Sequence, residues 1–375
     1  MARKKLQEKQ PTGLKNPYRL TRILATGAHY NLIVGERSNG KTFAALEYGI
    51  QQYVQQKKQT ALVRRWTEDI TGKRGSTMFD GITSAGVIQR ETGGEWTGVY
   101  YYASKWYLCR YDAETGKRIQ DETPFCYGFA VSAMEHDKST SYPNVTTIIF
   151  DEFITRGMYL PDEFVLFCNV VSTIVRYRND VKIFMLGNSV SINCPYYQEM
   201  GLTHIRQQEE GTIDLYRYGE SDLLVAVERT AASKQGKESD LYFAFDNPKL
   251  QMITGGTWEM EIYPHCPVRY RPAEILFRYF IKFNEDLLQC EIVLHEDMFF
   301  TFIAPKTTEL KDPEKDIIFS PEYSARPNWK RNITKPQTPI EKKIASFYIR
   351  EKVFYSDNTV GEIVRGDLNW CTANG

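Results

Sequence analysis

The sequence predicts an α/β fold, a parallel sheet flanked by helices, followed by a smaller α+β domain. Three observations predict it. Short runs rich in Val, Ile and Leu at 30–34, 60–63, 146–150 and 182–186 read as buried strands. Amphipathic stretches separate these runs, and strands alternating with helices imply a parallel sheet with helices on its faces. Beyond about residue 244 the pattern changes to closely spaced aromatic strands, at 275–283, 288–294 and 298–303.

With 375 residues the chain can bury two cores. We expect a flexible basic arm at 1–20, the first domain at 21–208, a polar linker at 209–243 and a C-terminal domain at 244–375. The Lys-rich N-terminus lacks the apolar stretch of a signal peptide, and no apolar run approaches the ~20 residues of a membrane span. These features point to a cytoplasmic protein without a membrane partner. Seven scattered Cys without CxxC or Cys/His clustering point to small core residues in a reducing compartment, not to a zinc site. Basic and acidic side chains number 47 each, so the chain has no overall basic excess, and any nucleic-acid contact must come from a local patch.

The elements follow in order. After the strand at 30–34, Phe43, Leu46, Tyr48 and Ile50 mark a helix. Aromatic, alternating runs at 99–111 and 125–131, separated by the turn-forming residues 112–117, predict a β-hairpin or small antiparallel insertion. The Pro-containing, charged stretch 306–338 reads as a long loop.

The most specific motif lies between the first strand and its helix. Gly35-Glu36-Arg37-Ser38-Asn39-Gly40-Lys41-Thr42 matches GxxxxGK[ST]. The glycines let backbone N–H groups wrap phosphate oxygens, and the helix N-terminus adds positive potential. Lys41 suits the β- and γ-phosphates and Thr42 suits Mg²⁺, so ATP and Mg²⁺ are the expected cofactors.

The strand at 146–150 runs into Asp151-Glu152. Asp151 is the candidate for holding Mg²⁺ and Glu152 for polarising the attacking water. Asn188, just past the strand at 182–186, is a candidate for sensing the γ-phosphate or positioning water, its alternative being a simple turn residue. Arg176, before that strand, is a candidate finger acting on a neighbouring subunit's nucleotide, its alternative being a solvated basic turn. Lys138 is a candidate for a subunit boundary or a DNA contact. Arg64 and Arg65, at the tip of the strand at 60–63, are candidates for touching nucleotide or relaying its state.

These residues also carry a resemblance. Val63-Arg64-Arg65, then Ser141-Tyr142-Pro143-Asn144-Val145 leading into Ile149-Phe150-Asp151-Glu152-Phe153-Ile154, resemble the DNA encapsidation proteins of phi29-like podoviruses. So do Val175-Arg176-Tyr177-Arg178 and Gly187-Asn188-Ser189-Val190-Ser191, with Asn193 and Pro195-Tyr196 following. The resemblance spans about residues 22–197. It implies an ASCE-type P-loop NTPase domain and a C-terminal domain like a degenerate RNase H-like nuclease. It further implies an ATP-driven motor that moves double-stranded DNA into a preformed procapsid. Such a motor works as a homo-oligomeric ring, usually a pentamer, on the capsid portal in the host cytoplasm, and a structural RNA partner stays open. By position it supports Lys41 and Thr42 on phosphate and Mg²⁺, Asp151 and Glu152 as above, and Arg176 and Lys138 acting in trans.

Two alternatives remain at this level. One is a terminase-like motor with an active C-terminal nuclease, for which Asp240, Asp246, Glu291, Glu296 and Asp297 are the available carboxylates. The other is a nucleotide-gated assembly or scaffold protein, which has no reason to hydrolyse ATP faster on DNA.

Overall fold

The structure, a computed structural model, describes residues 18–136, 140–191, 193–231 and 262–373. The chain divides into two compact units. The first comprises Met1–Ile154, Val165–Ser189 and Arg206–Thr257, and the second Thr155–Phe164, Val190–Ile205 and Trp258–Gly375. Among the described residues no helix is long and apolar enough to cross a membrane. No disulfide links the cysteines, five of which are buried.

The first unit is built on a ten-stranded sheet. Its centre is six parallel strands, in the spatial order β6 (Cys126–Ala130), β2 (Gln59–Arg64), β7 (Val145–Asp151), β8 (Lys182–Asn188), β1 (Tyr30–Gly35) and β10 (Leu224–Arg229). β7 is buried at every position, and β1 and β2 at all but one, as strands covered on both faces must be. The four apolar runs expected as strands are β1, β2, β7 and β8.

Helix α2 (Lys41–Gln56) follows the short α1 (Thr21–Leu24) and lies over the sheet through Ala45, Ile50 and Tyr53. A methyl group at Gly49 would stand 2.5 Å from Thr60 Oγ1, so glycine lets the helix settle close on β2. The helix stops at Lys57, in the left-handed region with φ +54°, whose N–H donates to the Tyr53 carbonyl while Lys58 N–H reaches Gln52. That pattern satisfies the last carbonyls of the helix.

The expected hairpin takes a different form. Residues 98–111 are already a hairpin, β3 (Gly98–Tyr102) and β4 (Lys105–Tyr111), joined at Ala103-Ser104, which both have positive φ. The turn at 112–117 leads to β5 (Arg118–Gln120), paired with β4. The run at 125–131 supplies β6, a parallel neighbour of β2 that meets β4 at only two residue pairs. Three short helices, α3 (Gly72–Thr77), α4 (Asp80–Ser84) and α5 (Val87–Glu91), pack beneath this region. Trp106 is fully buried there and donates from Nε1 to the Gly75 carbonyl at 2.8 Å.

Two boundaries differ from expectation. Residues 209–243 include β9 (Ile213–Arg217) and β10, antiparallel partners that extend the first sheet past 208. The described end of the expected arm is anchored: Leu20 is buried, and the Tyr18 hydroxyl donates to Glu228 at 2.5 Å. Residues 1–17 lie outside the described set, as does most of 231–243.

The second unit has a six-stranded sheet. β11 (Ile275–Phe283), β12 (Asp286–His295) and β13 (Met298–Pro305) form an antiparallel meander. β14 (Ile318–Phe319) joins β11 in parallel, β15 (Trp329–Lys330) joins β14, and β16 (Val353–Tyr355) joins β13. The stretch 306–338 thus carries two short strands within its loop. Helix α6 (Glu163–Val175) starts in the second unit and continues in the first, and α7 (Pro195–Glu199) belongs to the second. Helices α8 (Pro339–Ile349) and α9 (Asn358–Ala373) contribute Ile344, Phe347, Val360 and Val364 to a core with Tyr279, Ile281 and Ile303.

Candidate nucleotide site

Parallel strands bring their carboxyl ends to one edge of a sheet, and ligand crevices form there. At that edge β1 passes through Gly35 into the loop that ends at α2. Gly35 has to be glycine, since a Cβ would fall 1.8 Å from Thr230 Oγ1. Ser38 and Gly40 have positive φ, 59° and 91°, which curls the loop back over the helix start. Glu36 is buried and Arg37 exposed. Asn39 spans the loop: its Oδ1 accepts from Lys41 N–H at 3.3 Å, and its Nδ2 donates to Thr230 Oγ1 at 3.1 Å.

Lys41 is 6% exposed. Its ammonium donates to the carbonyls of Gly35 (3.2 Å) and Glu36 (2.5 Å), to Asn39 Oδ1 (3.1 Å) and to Asn188 Oδ1 (3.3 Å). Burial lowers its pKa to about 8, with Asp151 and Glu36 pulling the other way. Asn188 reaches it because β8 lies beside β1 with Asn188 opposite Gly35.

The next strand outward brings the acids. Asp151, the last residue of β7, accepts from the Thr42 hydroxyl at 2.9 Å through Oδ1 and from Arg64 Nη1 at 2.7 Å through Oδ2. Burial pushes the Asp151 carboxyl up, against the pull of Arg64 and Thr42. Glu152 follows in the left-handed region, φ +60°, with its side chain 61% exposed and Arg64 Nη2 at 3.3 Å from Oε2. Arg64 therefore faces the two carboxylates. The convergence of the Thr42 hydroxyl and the Asp151 carboxylate supplies hard oxygen donors that would suit Mg²⁺.

The structure thus brings Lys41, Thr42, Arg64, Asp151, Glu152 and Asn188 together. Arg176 stands elsewhere. It follows α6, which runs back along the sheet, and its Nη2 donates to the Thr140 carbonyl at 3.0 Å. That segment precedes β7, so Arg176 lies near the opposite end of a seven-residue strand, roughly 20 Å from the phosphate loop by strand rise. Arg176 is exposed, with φ +51°, beside a fully exposed Tyr177. Arg178 has a structural task, donating to the carbonyls of Tyr142, Pro143, Val145 and Ile174. Lys138 lies outside the described residues. Sequence reasoning missed Thr230, whose hydroxyl sits against the loop; it falls within the stretch expected as linker, and no local signal marks it.

In the second unit the carboxylates disperse. Glu291 accepts from Arg278 Nε at 2.9 Å, Tyr270 Oη at 2.8 Å and Gln289 Nε2 at 2.8 Å. Glu296 and Asp297 occupy the exposed β12–β13 turn, and Asp240 and Asp246 lie outside the described residues. Among the described residues no group of three or more His, Cys, Asp or Glu is placed to hold a metal ion.

Comparison with known proteins gives a consistent picture. Residues 116–208 match the family Podovirus DNA encapsidation protein (Gp16). The DNA packaging protein of Bacillus phage B103 is 29% identical over 175 residues, 46% of this chain and 48% of that protein. The DNA packaging protein of Bacillus phage phi29 is 27% identical over 183 residues, with 48% of each covered. The sequence matches thus span about half the length of these relatives. In structure, the phi28 gp11 DNA packaging motor aligns over 94% of this chain and 97% of its own, with TM-score 0.53 and 18% identity. The bacteriophage phi29 viral genome packaging motor assembly aligns over 94% and 100%, with TM-score 0.53 and 19% identity. The chain resembles the podovirus DNA encapsidation proteins in sequence and has the fold of the phi28 and phi29 packaging motors.

Proposed function

We propose that this protein is an ATP-driven motor that translocates double-stranded viral DNA into a procapsid. The observation that carries the reading is the convergence of Lys41, Thr42, Asp151, Glu152 and Asn188 at the carboxyl ends of neighbouring parallel strands. The names of its relatives, DNA packaging proteins and packaging motors, supply the cargo.

The loop 35–42 receives the phosphates, with Lys41 moving from its carbonyl partners onto the β- and γ-oxygens. Thr42 and Asp151 would hold Mg²⁺, which offsets the charge on those oxygens. Glu152 accepts a proton from water as the water oxygen bonds to the γ-phosphorus and the bond to the ADP oxygen breaks. Asn188 touches Lys41 and is placed to register whether a γ-phosphate is present. Arg176 is too far from its own loop to assist there, so it acts on a neighbour's nucleotide, which requires a ring of copies. By likeness to the packaging motors, that ring is a homo-oligomer, a pentamer in this reading, docked on the capsid portal in the host cytoplasm. A structural RNA is a further partner to test.

For the second unit we propose an RNase H-like ancestry. The spatial order β13-β12-β11-β14-β15, with the first three strands antiparallel and the others parallel to β11, supports it. The dispersal of Glu291, Glu296 and Asp297 supports a unit that has lost nuclease chemistry.

The test is ATP turnover with and without double-stranded DNA, for wild type and Glu152→Gln. DNA-stimulated hydrolysis that collapses in the variant is the expected result. Tight ATP binding with DNA-independent turnover would replace the motor by a nucleotide-gated switch, and unchanged turnover in the variant would remove Glu152 as the base.

A further inference from the structure

The two arginines at the end of β2 do different work. Arg64 turns to carboxylates, as described. Arg65 is 6% exposed and turns to main chain. Its Nη2 donates to the Phe153 carbonyl at 2.8 Å and its Nη1 to the Glu152 carbonyl at 3.3 Å. The Glu152 carbonyl belongs to the peptide that follows Glu152 and the Phe153 carbonyl to the next one, and Glu152 itself is held in the left-handed region that non-glycine residues rarely adopt.

The same peptide is fixed from its other side. Phe153 N–H donates to the Leu186 carbonyl at 3.2 Å, and a Cβ on Gly187 would meet Ile154 at 2.5 Å and Phe153 at 2.9 Å. Arg65 is itself anchored, its carbonyl accepting from Ser132 N–H at 3.1 Å. The Glu152 side chain, in contrast, projects and is mostly exposed. Apart from Arg64, 3.3 Å from Oε2, the direction of the carboxylate is therefore set by its main chain.

We infer that Arg65 is a positioning residue that acts through the backbone of Glu152. By holding the carbonyls of residues 152 and 153 it keeps Glu152 in the left-handed conformation and its carboxylate beside Asp151. The inference rests on the reading of Glu152 as general base. Without the guanidinium the backbone relaxes toward negative φ, which redirects Cβ and moves the carboxylate out of line with the attacking water. Misplacement by about 1 Å costs roughly a hundredfold in rate.

The test uses the full chain: ATP turnover on double-stranded DNA, binding of a fluorescent ADP analogue, and thermal unfolding, for Arg65→Lys, Arg65→Gln and Glu152→Gln. Arg65→Gln is expected to lower kcat about a hundredfold with KM and ADP affinity within about twofold of wild type. Arg65→Lys keeps the charge in the same pocket and carries the test if the Gln variant fails to fold; its kcat is expected to fall between the two, again without a change in KM. In the Glu152→Gln background, Arg65→Lys is expected to lower turnover no further, since there is no base left to aim. Wild-type kcat in the Lys variant, a loss that appears in KM or ADP affinity, or an additional fall in the double variant would each overturn the positioning role. Undiminished turnover in Glu152→Gln alone would overturn the base assignment beneath it, a result distinct from all of these.

Discussion

Both units present acidic side chains on a sheet, and the two sheets treat them differently. In the first, β7 delivers Asp151 and Glu152 to an edge where β1 and β8 also end, so the carboxylates meet Thr42 and Arg64, and the Lys41–Asn188 pair stands at the same edge. In the second, the meander β11–β12–β13 alternates direction, and Glu291 and the Glu296-Asp297 turn fall at separate places. Parallel strands concentrate their terminal residues at one edge, whereas an antiparallel meander shares them between two. The unit with the parallel sheet gathers its charged groups, and the other unit pairs, buries or exposes them one at a time.

The sharpest way to break this contrast is Glu152→Gln. The substitution keeps size and removes the proposed base, so turnover should fall about a thousandfold while nucleotide affinity holds. Steady-state hydrolysis beside equilibrium nucleotide binding checks it.

A comparable energy is expected from a buried acid of the second unit, which faces the thiols of Cys371 and Cys290. Asp367 on α9 is 1% exposed, and burial raises its pKa to about 7. A carboxyl whose pKa is raised by folding favours the folded state while it stays protonated, so this contribution is complete below the ordinary Asp range. It is lost as pH climbs from about 4 to about 7, by about 4 kcal/mol at most. Asp367→Asn should remove that slope and leave the variant more stable than wild type at pH 8, with little difference at pH 4. Thermal unfolding across that range decides it.

Asn188→Ala removes one acceptor from Lys41 and is expected to lower turnover about tenfold, the scale of a hydrogen bond to a charged group. Equal turnover would detach Asn188 from the site. The smallest effect belongs to Glu291→Gln. It weakens the pair with the half-exposed Arg278 but leaves an amide oxygen for Tyr270 and Gln289, and should cost under about 1 kcal/mol of stability, with ATP turnover unchanged. A large loss of turnover there would erase the distinction between the two regions.

Much of the site could be read from the chain because its parts are local. The loop 35–42 is contiguous, and Asp151-Glu152 announces itself at the end of an apolar run. What was not legible depends on register between strands distant in sequence. Arg64 meets Asp151 because Val63 lies opposite Phe150, and no pattern within either strand states that pairing. β10 was hidden for another reason: Leu224–Arg229 is a buried run, but it ends in Glu228 and Arg229 and is surrounded by polar residues. Glu228 is tolerated inside because Tyr18, 210 positions earlier, donates to it, with Arg22 at 3.7 Å. The hairpin turn at Ala103-Ser104 was not legible either, because two ordinary residues take positive φ there without the Asn or Gly that usually signals such a turn.

The Lys41 ammonium has three hydrogens, and four protein oxygens already stand within 3.3 Å of it. A phosphate arriving there would be a fifth claimant. Its capture is therefore an exchange, in which the lysine gives up the carbonyls of its own loop as it takes the ligand's oxygens. Affinity under such an exchange is a small difference between two sets of bonds, and the loop's carbonyls remain at hand to reclaim the lysine. In the motor proposed above, whose nucleotide would have to leave on every cycle, that standing competition favours departure as much as arrival.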